Sequence, residues 1–409
     1  MRIVFITPIF WPEMGAPTSR FAPIVREFVA AGHDVFVATG MPNYPTGVVF
    51  PGYEGKFSSS EQWEGATILR TNYYIVPRNI SKVKQFLSYL SNIPAWFLSG
   101  MRAGKVDVVF LSSPPLFVVP AGLMLARAKK AKIVCDLRDV WPDEIIAVGA
   151  AKEGSKAVKL LRKWERKIYQ KADLISCTTR AIEDIVVERG GTREKILSVP
   201  NGADVELFAP RPYKPEDVEK FGLGDRKVVM YSGLMGLKFG LDQLLDAAIA
   251  LQDRKDVVFF FLGDGVAKKP LMDRAESLGL TNVVFGDGAK LEDVPKMLAR
   301  ADITINCLQP DPYLEKIISV KMFEYMACEK PVVAALRGEG ARVIDESGAG
   351  IVVEPGNGEQ IAAAVRELLD DPERRAEMGR KGREYVIQHY SRTATARKLE
   401  RALSALVSK

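Results

Sequence analysis

The sequence predicts an α/β protein made of two doubly wound domains, each with a parallel sheet covered by helices on both faces. Three observations indicate this fold. Short β-branched runs alternate with longer amphipathic segments, the alternation begins again after Asn201-Gly202, and a proline-rich stretch at 210–215 separates the two series. Strands that are apolar on both faces and joined by helices are typical of parallel sheets. The length of 409 residues is consistent with two domains.

The first series contains five predicted strands. They are the runs RIVFITPIF, HDVFVATG, VDVVFLSS, AKIVCDLRD and DLISCTT, and a helix is predicted over 18–31 after the first of them. Trp11-Pro12-Glu13 interrupts the first run before any small-residue cleavage site, so we interpret that run as a strand rather than a signal peptide. The uncharged stretch 108–126 approaches bilayer-spanning length, but its prolines and Gly122 favour a strand, a loop and a helix start.

The second series contains six predicted strands. They are KVVMYSG, DVVFFFLGDG, NVVFGDG, DITINCL, PVVAAL and GIVVE, with helices ending at Leu251 and Ala327. We predict a first domain over 1–200, a second over 201–383, and a C-terminal helix over 384–409 that packs back on the first domain. Two such Rossmann-like halves are expected to face each other across a cleft, with ligands beyond the carboxyl ends of the strands.

Composition excludes several classes of protein. An apolar content of 47% with 26% charged residues is that of a soluble globular chain. Lys plus Arg number 57 and Asp plus Glu 51, and the resulting charge of +6 is too mild for a dedicated nucleic-acid binder. Four scattered cysteines and two histidines favour neither a zinc site nor a disulfide framework, so we expect a reducing, cytoplasmic setting and no metal or cofactor.

Three segments have the pattern of anion sites at helix starts. The loop after the first strand contains Gly15, which allows a diphosphate to approach the backbone, and Arg20, which adds charge. In the second half, Ser232 and Gly233 end a strand and Lys238 stands at the next helix entrance. The alternatives without a ligand are a tight turn at Gly15 and a solvated surface lysine at position 238.

The third segment, 310–331, is the most specific. Ser319, Val320 and Lys321 fall at a predicted helix N-terminus, where amides and an ammonium group suit a phosphate. Glu324 lies in the first turns, where it can accept hydrogen bonds from a diol such as ribose. The alternative is that Glu324 is an ordinary carboxylate on a helix surface.

Together these segments resemble glycosyltransferase family 4, the retaining GT-B enzymes, and most closely its bacterial branch of O-antigen and capsule amino-sugar transferases. Five stretches carry the resemblance: FEYMACEKPVVA, VPNGAD, LGDG, SGLMGLKFGL and DLRDVWPDE. The resemblance implies that Glu324 binds the donor ribose and that Lys238 and Gly15 approach the donor diphosphate, with Ser232, Gly233, Ser319, Val320 and Lys321. Gly263 and Gly286, at strand ends, are expected beside the base.

The sequence also departs from the family pattern. The first glutamate of the family's pair should stand at Lys316, with Glu315 one place earlier, so these two residues are the candidates for the donor sugar. The usual arginine after Gly233 is replaced by Leu234, and we expect Lys321 to supply the missing charge. Without any D-x-D motif, lysines and helix amides are predicted to replace a metal.

Arg138 and Asp139 complete the predicted catalytic set with Lys238 and Glu324. Arg138 occupies the position at which many family members have an active-site histidine. Charged groups at a strand end suit a role with the reacting sugar or the acceptor hydroxyl. The alternative for Arg138 is a salt bridge that only orders its loop.

Two basic segments suggest that the protein binds a membrane surface. Residues 76–106 interleave basic residues with aromatic ones such as Trp96, and the helix predicted over 152–171 is also basic. The equally weighted alternative is a core helix with a basic polar face. We therefore expect a protein peripheral to the inner face of the cytoplasmic membrane, which uses a nucleoside-diphosphate sugar, first choice UDP-linked, and a polyprenyl-diphosphate glycan acceptor. The alternatives are a nucleotide-sugar 2-epimerase and a non-catalytic nucleotide-sugar-binding module.

Overall fold

The computed structural model describes residues 1–77, 81–147, 149 and 151–408. The chain divides into two compact units, of which unit 1 comprises Met1–Pro200 and the chain from Thr393, and unit 2 comprises Asn201–Arg392. Both units are α/β, as predicted.

Unit 1 contains one mixed sheet, which has eight strands among the described residues. Its strands are β1 (Arg2–Ile6), β2 (Asp34–Gly40), β3 (Ser58–Trp63), β4 (Ala66–Thr71), β5 (Val108–Ser113), β6 (Lys132–Leu137), β7 (Leu174–Cys177) and β8 (Ile196–Ser198). Their order is β3-β4-β2-β1-β5-β6-β7-β8, and all neighbours are parallel except β3 and β4. The five predicted strands are confirmed.

The β3–β4 hairpin and the short strand β8 were not predicted. Strand β3 has the sequence SSSEQW, in which only Trp63 is buried, because β3 is the edge strand of the sheet. A search for continuous apolar runs misses such a strand. The sheet of unit 1 is therefore not purely parallel.

Helices cover the strands of unit 1. They are α1 (Ala16–Ala30), α2 (Lys82–Met101), α3 (Val118–Lys129), α4 (Asp143–Ala147), α5 (Lys156–Lys171) and α6 (Arg180–Glu188). The stretch 108–126 forms β5, a loop and the start of α3, as predicted. No helix in the described ranges has both the length and the apolar character needed to cross a bilayer.

Unit 2 contains a parallel sheet with six strands in the part of the chain that is described. They are β9 (Lys227–Ser232), β10 (Val257–Leu262), β11 (Val283–Gly286), β12 (Ile303–Cys307), β13 (Val332–Ala335) and β14 (Gly350–Val353), the six predicted strands. Their order is β11-β10-β9-β12-β13-β14. The helices are α7 (Asp242–Ala250), α8 (Lys268–Ser277), α9 (Val294–Ala299), α10 (Val320–Ala327), α11 (Gly338–Ser347), α12 (Gly358–Asp370) and α13 (Pro372–His389).

The last helix, α14 (Arg392–Val407), belongs to unit 1. It buries Ala396, Leu399 and Leu403 in the same core as β1 and α1. The predicted return of the C-terminus to the first domain therefore occurs, but at residue 393 rather than 384. The reason is that α13 ends at His389 and its residues Gly382 and Val386 are buried in unit 2.

Candidate functional site

The candidate site of unit 2 lies at the carboxyl end of β9, where the strand order reverses. Strand β9 has β10 on one side and β12 on the other, and such a switch point is where open α/β sheets bind ligands. The pairing of β9 with β10 continues to Ser232, whereas its pairing with β12 ends at Met230. The two strands therefore separate beyond Met230 and leave the last backbone groups of β9 without a strand partner on that side.

Tyr325 of α10 fills this opening. Its hydroxyl accepts a hydrogen bond from the Ser232 N–H at 2.8 Å and donates one to the Ser232 carbonyl at 2.9 Å. The residue is 1% exposed, and burial raises its pKa, so the hydroxyl stays protonated. Tyr325 thus fixes α10 to the strand end. No local pattern indicates this role, since a tyrosine inside an apolar helix is usually a core residue.

The predicted glycines serve close packing of backbones. Gly233 and Gly263 have φ angles of 128° and 153°, which side-chain-bearing residues rarely adopt. A Cβ atom on Gly263 would lie 1.9 Å from the carbonyl oxygen of Gly233. At Gly286 a Cβ atom would lie 2.8 Å from the Phe221 ring and 3.0 Å from the Phe260 ring. The backbone packing requires glycine at position 263, and a side chain at position 286 would displace one of the two rings. Contact of Gly263 and Gly286 with a base stays a prediction.

Lys321 reaches the turn after β9 from the first turn of α10. Its Nζ donates a hydrogen bond to the Tyr231 hydroxyl at 2.5 Å and lies 4.1 Å from the centroid of that ring and 3.6 Å from that of Phe239. A Cβ atom on Gly233 would lie 3.4 Å from this nitrogen. Lys321 therefore brings its amine to the turn in which Leu234 replaces the family's arginine.

Lys238 also lies near the Phe239 ring. It lies in a 3₁₀ turn, Leu237–Phe239, and its exposed ammonium is 5.5 Å from the centroid of Phe239. The structure therefore gathers Ser232, Gly233, Lys238 and Lys321, which the sequence analysis placed in two separate motifs. Burial, aided by the charge of Lys238, lowers the pKa of Lys321 to about 7.

The N-terminus of α10 adds backbone donors to these cations. Ser319 is the N-cap residue, but its side chain makes no capping hydrogen bond. The Met322 amide donates to the Ser319 carbonyl at 3.1 Å, whereas the amides before it, including that of Val320, have no acceptor within the helix and give the helix end a partial positive charge. The arrangement of two basic side chains and a helix N-terminus at one switch point can bind a diphosphate.

Glu324 is 16% exposed and interacts with a residue that the sequence analysis missed. Arg392 Nη2 lies 3.5 Å from Glu324 Oε1, and Arg392 Nε donates to the Gly202 carbonyl at 2.8 Å. Burial raises the pKa of Glu324, and the charge of Arg392 opposes this shift. Arg392 is distant in sequence from Glu324, so no local pattern could have indicated the pair.

The VPNGAD motif has a structural explanation. A Cβ atom on Gly202 would lie 1.9 Å from the Tyr390 carbonyl oxygen, and Ala203 pairs with Ser391 in a parallel β-bridge. The motif therefore holds the segment at the end of α13 against the segment at the start of unit 2. Contact with a ligand is not needed to explain this glycine.

Glu315 and Lys316 lie in a 3₁₀ turn, Leu314–Lys316, before α10. The Glu315 carboxylate is 3.8 Å from the guanidinium of Arg337, the residue before α11. Their contact with a donor sugar stays a prediction.

In unit 1, Gly15 caps α1 at the carboxyl edge of the sheet. A Cβ atom there would lie 2.7 Å from the Ile9 side chain and 3.3 Å from the Tyr44 ring, so the loop has no room for one. The expectation that Arg20 adds charge for a phosphate is wrong. Its guanidinium forms a buried pair with Asp136, with contacts of 2.8 Å from Nε and 2.5 Å from Nη2. That pairing compensates its charge.

Arg138 follows β6 and is 9% exposed. Its peptide N–H donates to the Ser113 carbonyl at 3.0 Å, and its guanidinium donates to the Pro114 carbonyl. Burial lowers the pKa of Arg138, while the charge of Asp139 acts in the opposite direction. Through these two hydrogen bonds Arg138 helps to order the loop after β5. A catalytic role for Arg138 and Asp139 stays a prediction.

Comparisons with known proteins identify the family. Residues 15–202 match the model of the glycosyl transferase 4-like domain, and residues 214–385 match that of glycosyl transferases group 1. Together the two models cover most of the chain. The chain belongs to glycosyltransferase family 4. It is an enzyme of the GT-B type.

Relatives along the full chain agree with this assignment. A glycosyl transferase named for colanic acid biosynthesis, WcaI of Escherichia coli, is 26% identical and covers 90% of this chain and 92% of its own. A GDP-mannose-dependent phosphatidylinositol monomannoside mannosyltransferase of Mycolicibacterium smegmatis is 27% identical over 73% of this chain and 85% of its own.

Solved structures show the same fold. Sucrose-phosphate synthase of Thermosynechococcus elongatus superimposes with a TM-score of 0.77 at 18% identity, covering 100% of this chain and 99% of its own. The Anabaena protein HepE in complex with UDP gives a TM-score of 0.71 at 17% identity, covering 99% and 100%. At these identities the likeness supports the GT-B fold alone.

Proposed function

We propose that this glycosyltransferase transfers a sugar, with retention of configuration and without a metal, from a nucleoside-diphosphate sugar to a lipid-linked glycan. The product would be a cell-surface polysaccharide such as O-antigen, capsule or exopolysaccharide, and the relative named for colanic acid biosynthesis supports this role. The observation that carries the proposal is the amine of Lys321 beside the Gly233 turn, at the switch point of unit 2.

Glycosyl transfer develops negative charge on the departing diphosphate, and the site has groups that oppose this charge. Lys321 and Lys238 both lie near the Phe239 ring, and the N-terminus of α10 adds amide donors. Fixed charges and amides of this kind stabilise a developing anion without reorganising during the reaction. Glu324 would accept hydrogen bonds from the ribose, and its contact with Arg392 favours the ionised carboxylate that does so.

The base and sugar are proposed as uridine and an N-acetylated amino sugar. UDP occupies the Anabaena neighbour, whereas the mycobacterial relative is named for GDP-mannose. Thermal-shift assays with UDP- and GDP-sugars decide between the two bases, because a ligand that binds only the folded chain raises its melting temperature.

Binding and product assays test whether the protein is this transferase, a 2-epimerase or a non-catalytic binding module. Lys321→Met and Lys238→Met should weaken binding of the nucleoside diphosphate about 10- to 100-fold, since charge-assisted hydrogen bonds contribute about 1.5–3 kcal/mol. Lys269→Met, on the exposed face of α8, is the matched control and should leave affinity unchanged.

NMR of the product anomer tests retention, and activity that EDTA abolishes would contradict the metal-free mechanism. A new sugar isomer from UDP-GlcNAc alone would favour a 2-epimerase.

We further propose that unit 1 lies on the inner face of the cytoplasmic membrane, through a stripe of exposed apolar residues on α2. The stripe is formed by Val83, Leu87, Pro94, Leu98 and Met101. These positions recur at helical spacing along one face, which is typical of an interfacial helix. Exposed Lys84 and Lys105 flank the stripe and suit anionic lipids.

Helix α5 is a neighbour of α2 and carries positive charge. The ring of Phe117 packs against Tyr89 of α2 and Trp164 of α5, at centroid distances of 5.1 and 5.5 Å, so the two helices are neighbours. Exposed basic residues follow along α5, namely Lys159, Lys163, Arg166 and Lys167. An acceptor anchored in the bilayer would meet the enzyme on this side of unit 1.

The prediction that Trp96 contacts the membrane is wrong. Trp96 is 1% exposed and lies in the core of unit 1, so it cannot contact a bilayer. Arg78 falls outside the described residues, as does the side chain of Lys82.

Sedimentation with anionic liposomes tests the membrane surface. Leu87→Asp and Leu98→Asp should each reduce the bound fraction several-fold, because a carboxylate opposes burial in the interface. Leu291→Asp in unit 2, at 47% exposure against 45% for Leu98, is the matched control. Equal binding of all three variants would contradict the proposal.

A further inference from the structure

The amine of Lys321 has an unusual environment for a basic group. The residue is 9% exposed, and its nitrogen makes one hydrogen bond among the described residues, to the Tyr231 hydroxyl. That hydroxyl donates in turn to the Leu234 carbonyl at 2.7 Å. No carboxylate within the described ranges lies at ion-pair distance from Lys321, so nothing neutralises a charge at this nitrogen while the site is empty.

The groups that face this nitrogen do not supply a compensating anion. Tyr231 of β9 and Cys307 of β12 are both buried, and burial raises the pKa of each, so both are neutral near pH 7. Lys238 contributes a like charge from the neighbouring turn. Glu324, on the same helix, contributes only a weak attraction and has its own contact with Arg392. The two aromatic rings favour a cation, but they replace only part of the lost hydration.

Resting on the proposed function, we propose that at pH 8 Lys321 is an uncharged amine before the donor binds and takes up one proton from solvent when the diphosphate of the donor binds. The proton joins the lone pair of Nζ, and the ammonium so formed pairs with the diphosphate. Tyr231 is the positioning residue, because its hydroxyl holds this nitrogen beside the Gly233 turn.

A proton-linked lysine makes donor binding depend on pH in a defined direction. Burial lowers the pKa of Lys321 to about 7 in the empty site. Bound diphosphate favours the charged form and raises that pKa. Below pH 7 the amine is already charged, so no proton is taken up. Above pH 7 the affinity should fall about tenfold per pH unit, because each binding event must then recruit a proton.

Isothermal titration calorimetry at pH 8 measures this uptake. UDP and GDP are titrated into the full chain in two buffers that differ in ionisation enthalpy, and the difference in heat gives the number of protons exchanged. The wild type should take up about one proton per bound nucleotide. Lys321→Arg, which keeps a permanent charge, should bind without uptake. Lys238→Met removes the like charge that lowers the pKa of Lys321, so it should bind more weakly and move the onset of uptake to higher pH.

Tyr231→Phe separates positioning from a purely structural role. Loss of the hydroxyl removes the hydrogen-bond acceptor of the ammonium, so the transition from no uptake to full uptake should move to lower pH as affinity falls. A purely structural residue would lower affinity without moving this transition. Binding of nucleotide to the wild type at pH 8 without proton uptake would overturn the inference alone. Binding of neither nucleotide would overturn the proposed function as well.

Discussion

Replacing Tyr325 with phenylalanine tests whether its hydroxyl holds α10 against the end of β9. The substitution removes one oxygen and leaves the N–H and the carbonyl of Ser232 without their partner at a residue that is 1% exposed. Each buried backbone group left unpaired costs about 1–3 kcal/mol, and partial relaxation makes a total of about 3 kcal/mol reasonable. For a unit of this size, that loss lowers the melting temperature by about 6–12 °C.

Calorimetry and hydrogen exchange measure the two consequences. The transition of unit 2 should move down, and the Ser232 amide should lose protection against exchange, since its hydrogen-bond acceptor is gone. Tyr385→Phe is the matched control, because that hydroxyl donates to Glu346 at 2.7 Å on the surface of the same unit and should contribute less than about 1 kcal/mol. A shift for Tyr325→Phe no larger than that of the control would refute the reasoning.

Three further changes have defined outcomes. Gly263→Ala places a Cβ atom 1.9 Å from a backbone oxygen and should abolish nucleotide binding or folding, whereas Gly288→Ala, with open space around it, should do neither; a thermal-shift assay distinguishes them. Asp136→Asn removes the carboxylate charge that pairs with the buried Arg20 guanidinium and should destabilise unit 1 by about 3–5 kcal/mol in urea unfolding. The hydrogen bond from His33 lowers the pKa of Glu400 below 4.5, so this stabilisation is present above pH 4.5 and lost as pH falls further; Glu400→Gln should flatten that acid dependence of the melting temperature.

The fold was largely predictable because hydrophobic pattern alone sets the strands of a buried parallel sheet. The run VVFFFL of β10, for example, is buried at every position, as is typical of a strand in a parallel sheet with helices on both faces. The edge strand β3 escaped prediction for the opposite reason, since a polar strand exposed on one side has no such pattern. The switch from unit 2 to unit 1 at Thr393 depended on which helix faces are buried and not on helical pattern.

Only part of the candidate site could be predicted from local sequence. Gly233, Lys238, Lys321 and Glu324 could be named because local turns and helix starts attract phosphates and diols. Tyr325 could not, since its partner lies 93 residues earlier in the chain.

By itself the sequence determined the two α/β halves, the family and the cationic residues of the candidate donor site, because each depends on short-range pattern or on a contiguous motif. The tertiary structure alone decided what those residues contact. It paired Arg20 with Asp136, brought Arg392 to Glu324, buried Trp96, and enclosed Lys321 between two aromatic rings. The physical reason is that burial and charge compensation depend on neighbours that are distant along the chain, and these neighbours decide whether a basic side chain supports the fold or binds a ligand.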